Sequence, residues 1–232
     1  FTPLQLSRAI YGFGAWGLTD LKVYRALCET ALEKRSMLYT KGVVEILNGL
    51  YEASFLPEHV VVPLLQQASR NIDVLGCQDS VAFIFVYAKM PKEVQMSLPD
   101  LADRLISHIR YGSGKKWRYT GQDVADLFEA KQNLKIFDEH LIEFVMKQSN
   151  FFLHETTSDV FLRIWGSFAE LPYKGRQQFR SHLHRRPGVQ GAVEKALSEY
   201  SFSFFSNDIS ASKSLTRSLR AFSNAESDVS PI

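Results

Sequence analysis

The chain has 232 residues, 45% of them apolar, and a formal net charge of +2. This composition is sufficient for a sizeable buried core, and no run approaches the 18 consecutive apolar residues of a membrane span. Two cysteines, Cys28 and Cys77, are too few and too far apart for a disulfide framework or a zinc knuckle. Each lies in an apolar pattern, so we expect buried free thiols.

Apolar spacing predicts helices throughout, joined in pairs by short turns. The predicted helices start at Thr2 (ending near Gly14), Asp20 (to about Arg35), Thr40 (to Ala53), Pro57 (to Arg70), Gln78 (to Met90), Pro99 (to Tyr111), Thr120, Asp138, Thr157 (to Glu170), Pro172 (to Arg185) and Val189 (to Tyr200). The run Val81–Tyr87 taken alone would suit a buried strand. Its place in the pattern favours a helix that is buried on two sides.

The first helix recurs along the chain. Ile10 and Gly12 are followed 37 residues later by Leu47 and Gly49, and Ile164 and Gly166 form a third clear copy. Helix pairs at such a period are typical of an α-solenoid. We therefore predict an all-α solenoid of about five helical hairpins with a period near 37 over residues 1–200, in which Gly12 and Gly49 permit close helix crossings.

The first helix also contains a literal G-x-G-x-x-G over residues 12–17. As a dinucleotide-binding fingerprint it would need a preceding strand and a following helix. The residues before it have helical spacing instead, so the repeat explains Gly12 better than a nucleotide-binding site does.

The composition changes after Ser201. Residues 201–232 are rich in serine and offer one short apolar stripe, formed by Leu215, Leu219 and Phe222. So little apolar surface does not offset the entropy of ordering the segment. We expect this tail to dock on a partner through the stripe.

Two basic groups are candidate RNA-binding sites. Lys115, Lys116, Trp117 and Arg118 interleave cations with an aromatic ring, a chemistry that holds phosphates and stacks on unpaired bases. The second group comprises Arg176, Arg180, His184, Arg185 and Arg186, and no acidic residue occurs over 172–188. A solvated basic face is the alternative for either group, and Trp117 is alternatively a cap over the core.

No catalytic pattern is present. The six histidines have no metal-ligand spacing, and neither H-E-x-x-H nor G-x-S-x-G occurs. We therefore predict no catalytic residues, no metal and no cofactor.

The segment Leu6–Leu18 resembles the first helix of organellar helical repeats. These are the octotricopeptide and heptatricopeptide types and the repeats found in FAST-kinase-like proteins ahead of their RAP domain. The match is good over residues 2–71, moderate over 154–186, and depends on spacing over 76–150. The resemblance implies a role in mitochondrial or plastid RNA processing, translation or ribosome structure. The chain starts at Phe1 with no Met, which allows a leader that was removed or left out, and the residues present show no targeting pattern.

Together these features predict a non-catalytic subunit of a mitochondrial ribonucleoprotein, located in the matrix. Its expected partners are RNA, with ribosomal RNA as the first candidate, and neighbouring protein subunits, as in the mitochondrial ribosome. One alternative is a protein-interaction scaffold in another large organellar complex. Another is a free RNA-processing factor.

Overall fold

The structure, a computed structural model, describes residues 1–111, 118–136, 140, 141, 144 and 156–169. The helices are α1 (Pro3–Ala15), α2 (Leu21–Glu33), α3 (Thr40–Glu52), α4 (Glu58–Ser69), α5 (Cys77–Lys89), α6 (Lys92–Met96), α7 (Leu101–Tyr111), α8 (Gly121–Leu134) and α9 (Ser158–Ala169). Two short 3₁₀ turns cover Arg35–Met37 and Ile72–Val74. No strand occurs in the described residues, so the predicted all-α class is confirmed, including the helical state of Val81–Tyr87.

The chain divides into two compact units, Phe1–Trp117 and Arg118–Ile232. In the first unit, α3 lies between α1 and α5, and α2 packs on α4. Because it is covered on two sides, α3 buries seven of its thirteen residues, whereas α1 buries four. The core of this unit is therefore built around α3.

Threonine caps fix the starts of α1 and α8. The Thr2 hydroxyl accepts a hydrogen bond from the Gln5 amide, and the Gln5 side chain accepts one from the Thr2 amide. Thr120 and Asp123 make the same reciprocal pair at the start of α8. Each capping box satisfies two amides that have no partner within the helix.

A close helix crossing joins α1 and α3. A Cβ atom added to Gly49 would lie 2.7 Å from the Tyr11 Cα atom, so the prediction for Gly49 is confirmed. The prediction for Gly12 is wrong, because a Cβ atom there would meet nothing within 4 Å. Gly14 takes that place instead, since its added Cβ atom would lie 2.8 Å from the Gly49 Cα atom. The sequence repeat identified the helix but not the side of α1 that faces α3.

The short helix α6 was not predicted from the sequence. Its Gln95 side chain donates hydrogen bonds to the carbonyl groups of Tyr87, Ala88 and Met90 at the end of α5. The Tyr87 hydroxyl lies 2.9 Å from the Gln95 carbonyl oxygen and 2.8 Å from that of Leu98. These contacts replace hydrogen bonds that the last turn of α5 lacks, so α6 forms as a cap on α5.

In the second unit, α8 packs against α9. Val124, Leu127 and Phe128 are buried, as predicted, and so are Val160 and Ile164 on α9. Gly121 opens α8 directly beside Thr156, where a Cβ atom would clash with the threonine side chain. The predicted helix starts at Asp138, Pro172 and Val189 and the tail after Ser201 lie outside the described residues.

The cysteine prediction holds fully for one residue. Cys28 is a buried free thiol, whereas Cys77 is a free thiol that is only half-buried. Within the part of the chain that the structure describes, no helix combines the length and apolarity needed to cross a bilayer.

Candidate interaction surface

Most of the predicted RNA-binding residues lie outside the described residues. They are Lys115, Lys116, Trp117, Arg176, Arg180, His184, Arg185 and Arg186. The predicted tail residues Leu215, Leu219 and Phe222 also lie outside the described residues. Both predicted sites therefore stay predictions.

Arg118 is the exception. It is exposed and comes directly before Tyr119, which is buried with its ring edge-on to that of Phe144 at 5.4 Å between centroids. Thr120 then caps α8. The buried ring and the capped helix therefore fix the backbone next to Arg118.

The titratable groups of the described residues have structural roles. His108 Nε2 lies 3.2 Å from the Leu75 carbonyl oxygen, and His108 Nδ1 lies 3.9 Å from a carboxylate oxygen of Asp73. Burial, with a smaller effect from Glu29, raises the pKa of Cys28 to about 11, which keeps this thiol protonated. No group of His, Cys, Asp and Glu suited to holding a metal occurs among these residues.

Three exposed apolar residues of the first unit, each at the end of an element, are the best candidates for an interaction surface. Met37, Val74 and Tyr111 are large apolar residues with exposed fractions of 61%, 74% and 71%. They end the first 3₁₀ turn, the second 3₁₀ turn and α7, and they are 37 residues apart in sequence. We call this set, together with Arg35, Arg70 and Arg110, the edge surface.

Contacts with later helices hold the two 3₁₀ turns in place. The first 3₁₀ turn packs on α4, and the second packs on α7. The Arg104 guanidinium donates to the Ser69 carbonyl at 2.6 Å, beside the end of α4. His108 is bonded to Leu75, which follows the second turn directly. Each turn is thus fixed against a later helix, while Met37 and Val74 at the ends of the two turns stay exposed.

The edge surface carries a positive charge. Arg35 and Arg70 are exposed and form no ion pair with a described residue. The Arg110 guanidinium lies 4.7 Å from the centre of the Tyr111 ring and donates to the Tyr111 hydroxyl at 2.8 Å. Asp73 is the acidic residue of the second turn. Of the three guanidinium groups, that of Arg110 lies directly beside an exposed apolar side chain, the Tyr111 ring.

A second charged group joins α8 and α9. Arg163 on α9 donates to the Asp126 carboxylate at 3.0 Å and to the Glu129 carboxylate at 2.8 Å, both on α8. Gln122 also donates to Asp126, at 2.7 Å. Burial raises the pKa of Asp126, and Arg163 acts in the opposite direction by stabilising the carboxylate. This group of charged side chains therefore links α8 to α9.

Comparison with protein-family models, curated proteins and solved structures gave no match for this chain. The resemblance to organellar helical repeats therefore rests on the sequence motif alone.

The sequence contained a signal for the edge surface that the motif search did not use. Met37, Val74 and Tyr111 recur at the period of the repeat. Apolar type alone did not distinguish them from core residues, and Leu38 and Leu75, each adjacent to one of them, are buried. Only the burial of Leu38 and Leu75 shows that Met37 and Val74 are the members of these two adjacent pairs that face solvent.

Proposed function

We propose that this protein is a non-catalytic helical-repeat subunit of a mitochondrial ribonucleoprotein, and within that class a component of the mitochondrial ribosome that contacts ribosomal RNA and neighbouring subunits. The proposal combines a repeated helical architecture with an exposed, positively charged edge. The edge surface is the observation that carries it.

The helix starts support a repeated architecture. The helices α1, α3 and α5 each have thirteen residues and begin at residues 3, 40 and 77, which are 37 apart. The helices α2 and α4 begin at 21 and 58, and the two 3₁₀ turns begin at 35 and 72, again 37 apart. In the second unit, α8 and α9 begin at 121 and 158, at the same interval. An α-solenoid with a period of 37 residues accounts for all five intervals.

The helix ends follow the same register. Gly17, Ser54 and Lys135 each occupy the fifteenth position counted from the start of α1, α3 and α8, and each has a positive φ, of 69°, 53° and 55°. In each case the next residue donates its amide to a carbonyl five residues earlier, such as Leu18 to Phe13 and Phe55 to Leu50. This is the Schellman arrangement. Two non-glycine residues adopt a left-handed conformation here, which supports a shared turn design rather than chance.

The chemistry of the edge surface favours RNA as a ligand. Guanidinium groups bind phosphates, and exposed rings and Arg planes stack on unpaired bases. Arg35, Arg70 and Arg110 supply one guanidinium for each of three successive layers, and Tyr111 supplies a ring. A single strand that followed the layers would meet one guanidinium group at each of them, and the Tyr111 ring at the third.

One observation favours the alternative of a protein-interaction scaffold. Met37 and Val74 are aliphatic rather than aromatic, and aliphatic side chains suit an apolar protein surface as well as they suit bases. A scaffold of this kind would use the edge surface without the salt dependence that phosphate contacts impose. A free RNA-processing factor would share the RNA chemistry but not the stable neighbours.

RNA binding by the purified full chain tests the proposal. The probe is a fluorescent single-stranded RNA, titrated between about 50 and 200 mM salt. The variant replaces Arg35, Arg70 and Arg110 with Gln, and a matched control replaces the exposed cations Lys22, Arg25 and Lys92 with Gln. Each lost phosphate contact should reduce the slope of log affinity against log salt by about 0.7.

We expect the edge variant to bind more weakly with a shallower salt slope, and the control to retain most of the slope. Tyr111→Ala should lose about 1–3 kcal/mol if its ring stacks on a base. Equal binding by the edge and control variants would remove the edge surface from the proposal. An absence of RNA binding at low salt would favour the scaffold alternative.

A further inference from the structure

The outward side of α1 has the form of an interface without a partner among the described residues. We call the residues Gln5, Arg8, Ala9 and Gly12 the α1 outer face. Gln5, Arg8 and Ala9 line, with Phe1, an open depression on the surface. The flanking residues Leu4 and Tyr11 are large, apolar and 53% and 44% exposed.

The equivalent face of α3 shows how such a surface is covered. Counted from the start of each helix, Gly42, Glu45, Ile46 and Gly49 of α3 correspond to the four residues of the α1 outer face. On α3 they lie against α1: Glu45 accepts a hydrogen bond from the Ser7 hydroxyl, and Gly49 contacts the backbone of Ile10 and Tyr11. Ile46 is fully buried, whereas Ala9 remains partly exposed.

Gly12 fits this comparison. It holds the tenth position of α1, as Gly49 holds the tenth position of α3. Gly49 permits a backbone crossing, but the space in front of Gly12 is open to at least 4 Å. A glycine inside an exposed helix costs about 1 kcal/mol relative to alanine. A helix that crosses at Gly12 would account for that cost.

Arg8 indicates the chemistry of a helix that would cover this face. It is the sixth residue of α1, as Arg163 is the sixth residue of α9. Arg163 faces α8 and binds the carboxylates of Asp126 and Glu129, which are three residues apart on that helix. Arg8 is exposed and forms no ion pair with a described residue. The same position on the same helix of the repeat therefore lacks the two carboxylates that its counterpart binds.

A further contact between α8 and α9 has a counterpart between α1 and α3. The twelfth residue of α8, Gln132, donates its side-chain amide to the carbonyl of Ser167, the tenth residue of α9, at 3.4 Å. On α1 and α3 the same two positions hold Gly14 and Gly49, whose backbones touch. The covering helix thus places its twelfth residue over the tenth residue of the helix that it covers.

We propose that the α1 outer face binds an acidic α-helix of a protein partner, which carries two carboxylates three residues apart against Arg8 and a small residue three positions further on over Gly12. This inference goes beyond RNA binding and does not depend on it. A second copy of this chain does not fit through α1, because two α1 outer faces would bring two Arg8 side chains together.

The test uses the purified full chain and one defined probe. The probe is a stapled helical peptide with the sequence of residues 120–135, with Gln132→Gly and its own Asp126 and Glu129 as the two carboxylates. A second peptide carries Lys in place of both carboxylates. Binding of each fluorescent peptide is measured by anisotropy to the wild-type chain and to the Arg8→Glu and Gly12→Leu variants. Arg25→Glu on α2 is the control with the same change in charge.

We expect Arg8→Glu to weaken binding of the acidic peptide at least tenfold and to gain affinity for the Lys peptide, with Arg25→Glu unchanged. Gly12→Leu should weaken binding at least tenfold while its thermal unfolding temperature is no lower than that of the wild type. Equal binding of the acidic peptide to wild type and Arg8→Glu would overturn the proposal, because the peptide would then bind at a site other than Arg8. Failure of the acidic peptide to bind, or self-association of the free chain that Gly12→Leu abolishes, would also overturn it.

Discussion

Gly14 on α1 and Gly49 on α3 bring two helix backbones into direct contact. A Cβ atom on Gly14 would lie 2.8 Å from the Gly49 Cα atom, a distance that folded proteins do not accommodate without backbone movement. This crossing positions α1 on α3. It also leaves the opposite side of α1, with Gly12, open.

The two glycines of α1 should respond oppositely to the same substitution. Gly14→Ala should lower the free energy of unfolding, because overpacking costs about 1–3 kcal/mol and exceeds the helix propensity that alanine adds. Gly12→Ala should raise it by up to about 1 kcal/mol, since alanine is the better helix former and nothing obstructs its methyl group. Urea unfolding followed by circular dichroism measures both. Equal effects of the two substitutions would contradict the assigned crossing.

Arg163 should stabilise the pairing of α8 with α9. Arg163→Met removes the partner of two half-buried carboxylates, and we expect a loss of about 1.5–3 kcal/mol, the range for hydrogen bonds to charged groups. Hydrogen exchange of the amides in α8 and α9 reports this locally. Arg163→Lys, which keeps the charge but not the forked geometry, should recover part of the loss. Unchanged exchange in Arg163→Met would mean that apolar packing alone holds the pair.

The same variant should make stability depend more strongly on pH. Burial raises the pKa of Asp126 above its ordinary value of 3.8, and Arg163 opposes that rise. Without Arg163 the pKa should rise further. A carboxyl whose pKa is higher in the folded state binds its proton there first, so its contribution to stability falls as pH rises from about 4 towards 7.

We therefore expect Arg163→Met to cost less at pH 4 than at pH 7. Carbon-detected titration of the Asp126 carboxyl by NMR gives the pKa directly. A cost that is the same at both pH values, with an unshifted titration, would contradict the electrostatic part of this interpretation.

The two cysteines should react at different rates. Cys28 is 2% exposed and its pKa is raised to about 11, so little thiolate is present at pH 8. Cys77 is half-buried. Alkylation of the native chain with iodoacetamide, followed by mass spectrometry, should label Cys77 first, and Cys28 should react at a comparable rate only after unfolding. Faster labelling of Cys28 in the native chain would show that α2 is packed differently.

The predicted basic helix offers a separate test of RNA binding. If Arg176, Arg180, Arg185 and Arg186 contact phosphates, replacing all four with Gln should weaken RNA binding and reduce the salt slope by about 0.7 for each lost contact to a single strand. Thermal unfolding should change little, because surface substitutions usually cost within about 0.5 kcal/mol. An unchanged salt slope in this variant would assign these residues to a solvated face.

The sequence predicted helices well because apolar spacing and capping residues are local signals. Thr2, Asp20 and Thr120 each cap the helix that follows them, as expected from residue type. It did not predict the orientation of α1, because Gly12 and Gly14 both suit a helix crossing and only packing against α3 selects between them. It also missed α6, whose role depends on Gln95 reaching the end of another helix.

The candidate sites were less accessible to sequence reasoning. Basic composition indicated groups of cations, but the group at Arg163 arises from residues 34 and 37 positions apart on two helices. Its carboxylates are scattered in sequence and meet only through the helix pairing. The edge surface depends likewise on which member of each apolar pair is buried, and tertiary packing determines that.

The RNA content of the native complex tests the central claim most directly. The tagged full chain is purified from an organellar lysate, and the copurifying RNA is sequenced and quantified relative to the bound proteins. The account predicts that ribosomal RNA and ribosomal proteins copurify in fixed proportion and that nuclease treatment reduces the recovery of both. A stable protein complex that contains no RNA and withstands nuclease would contradict the proposed ribonucleoprotein subunit.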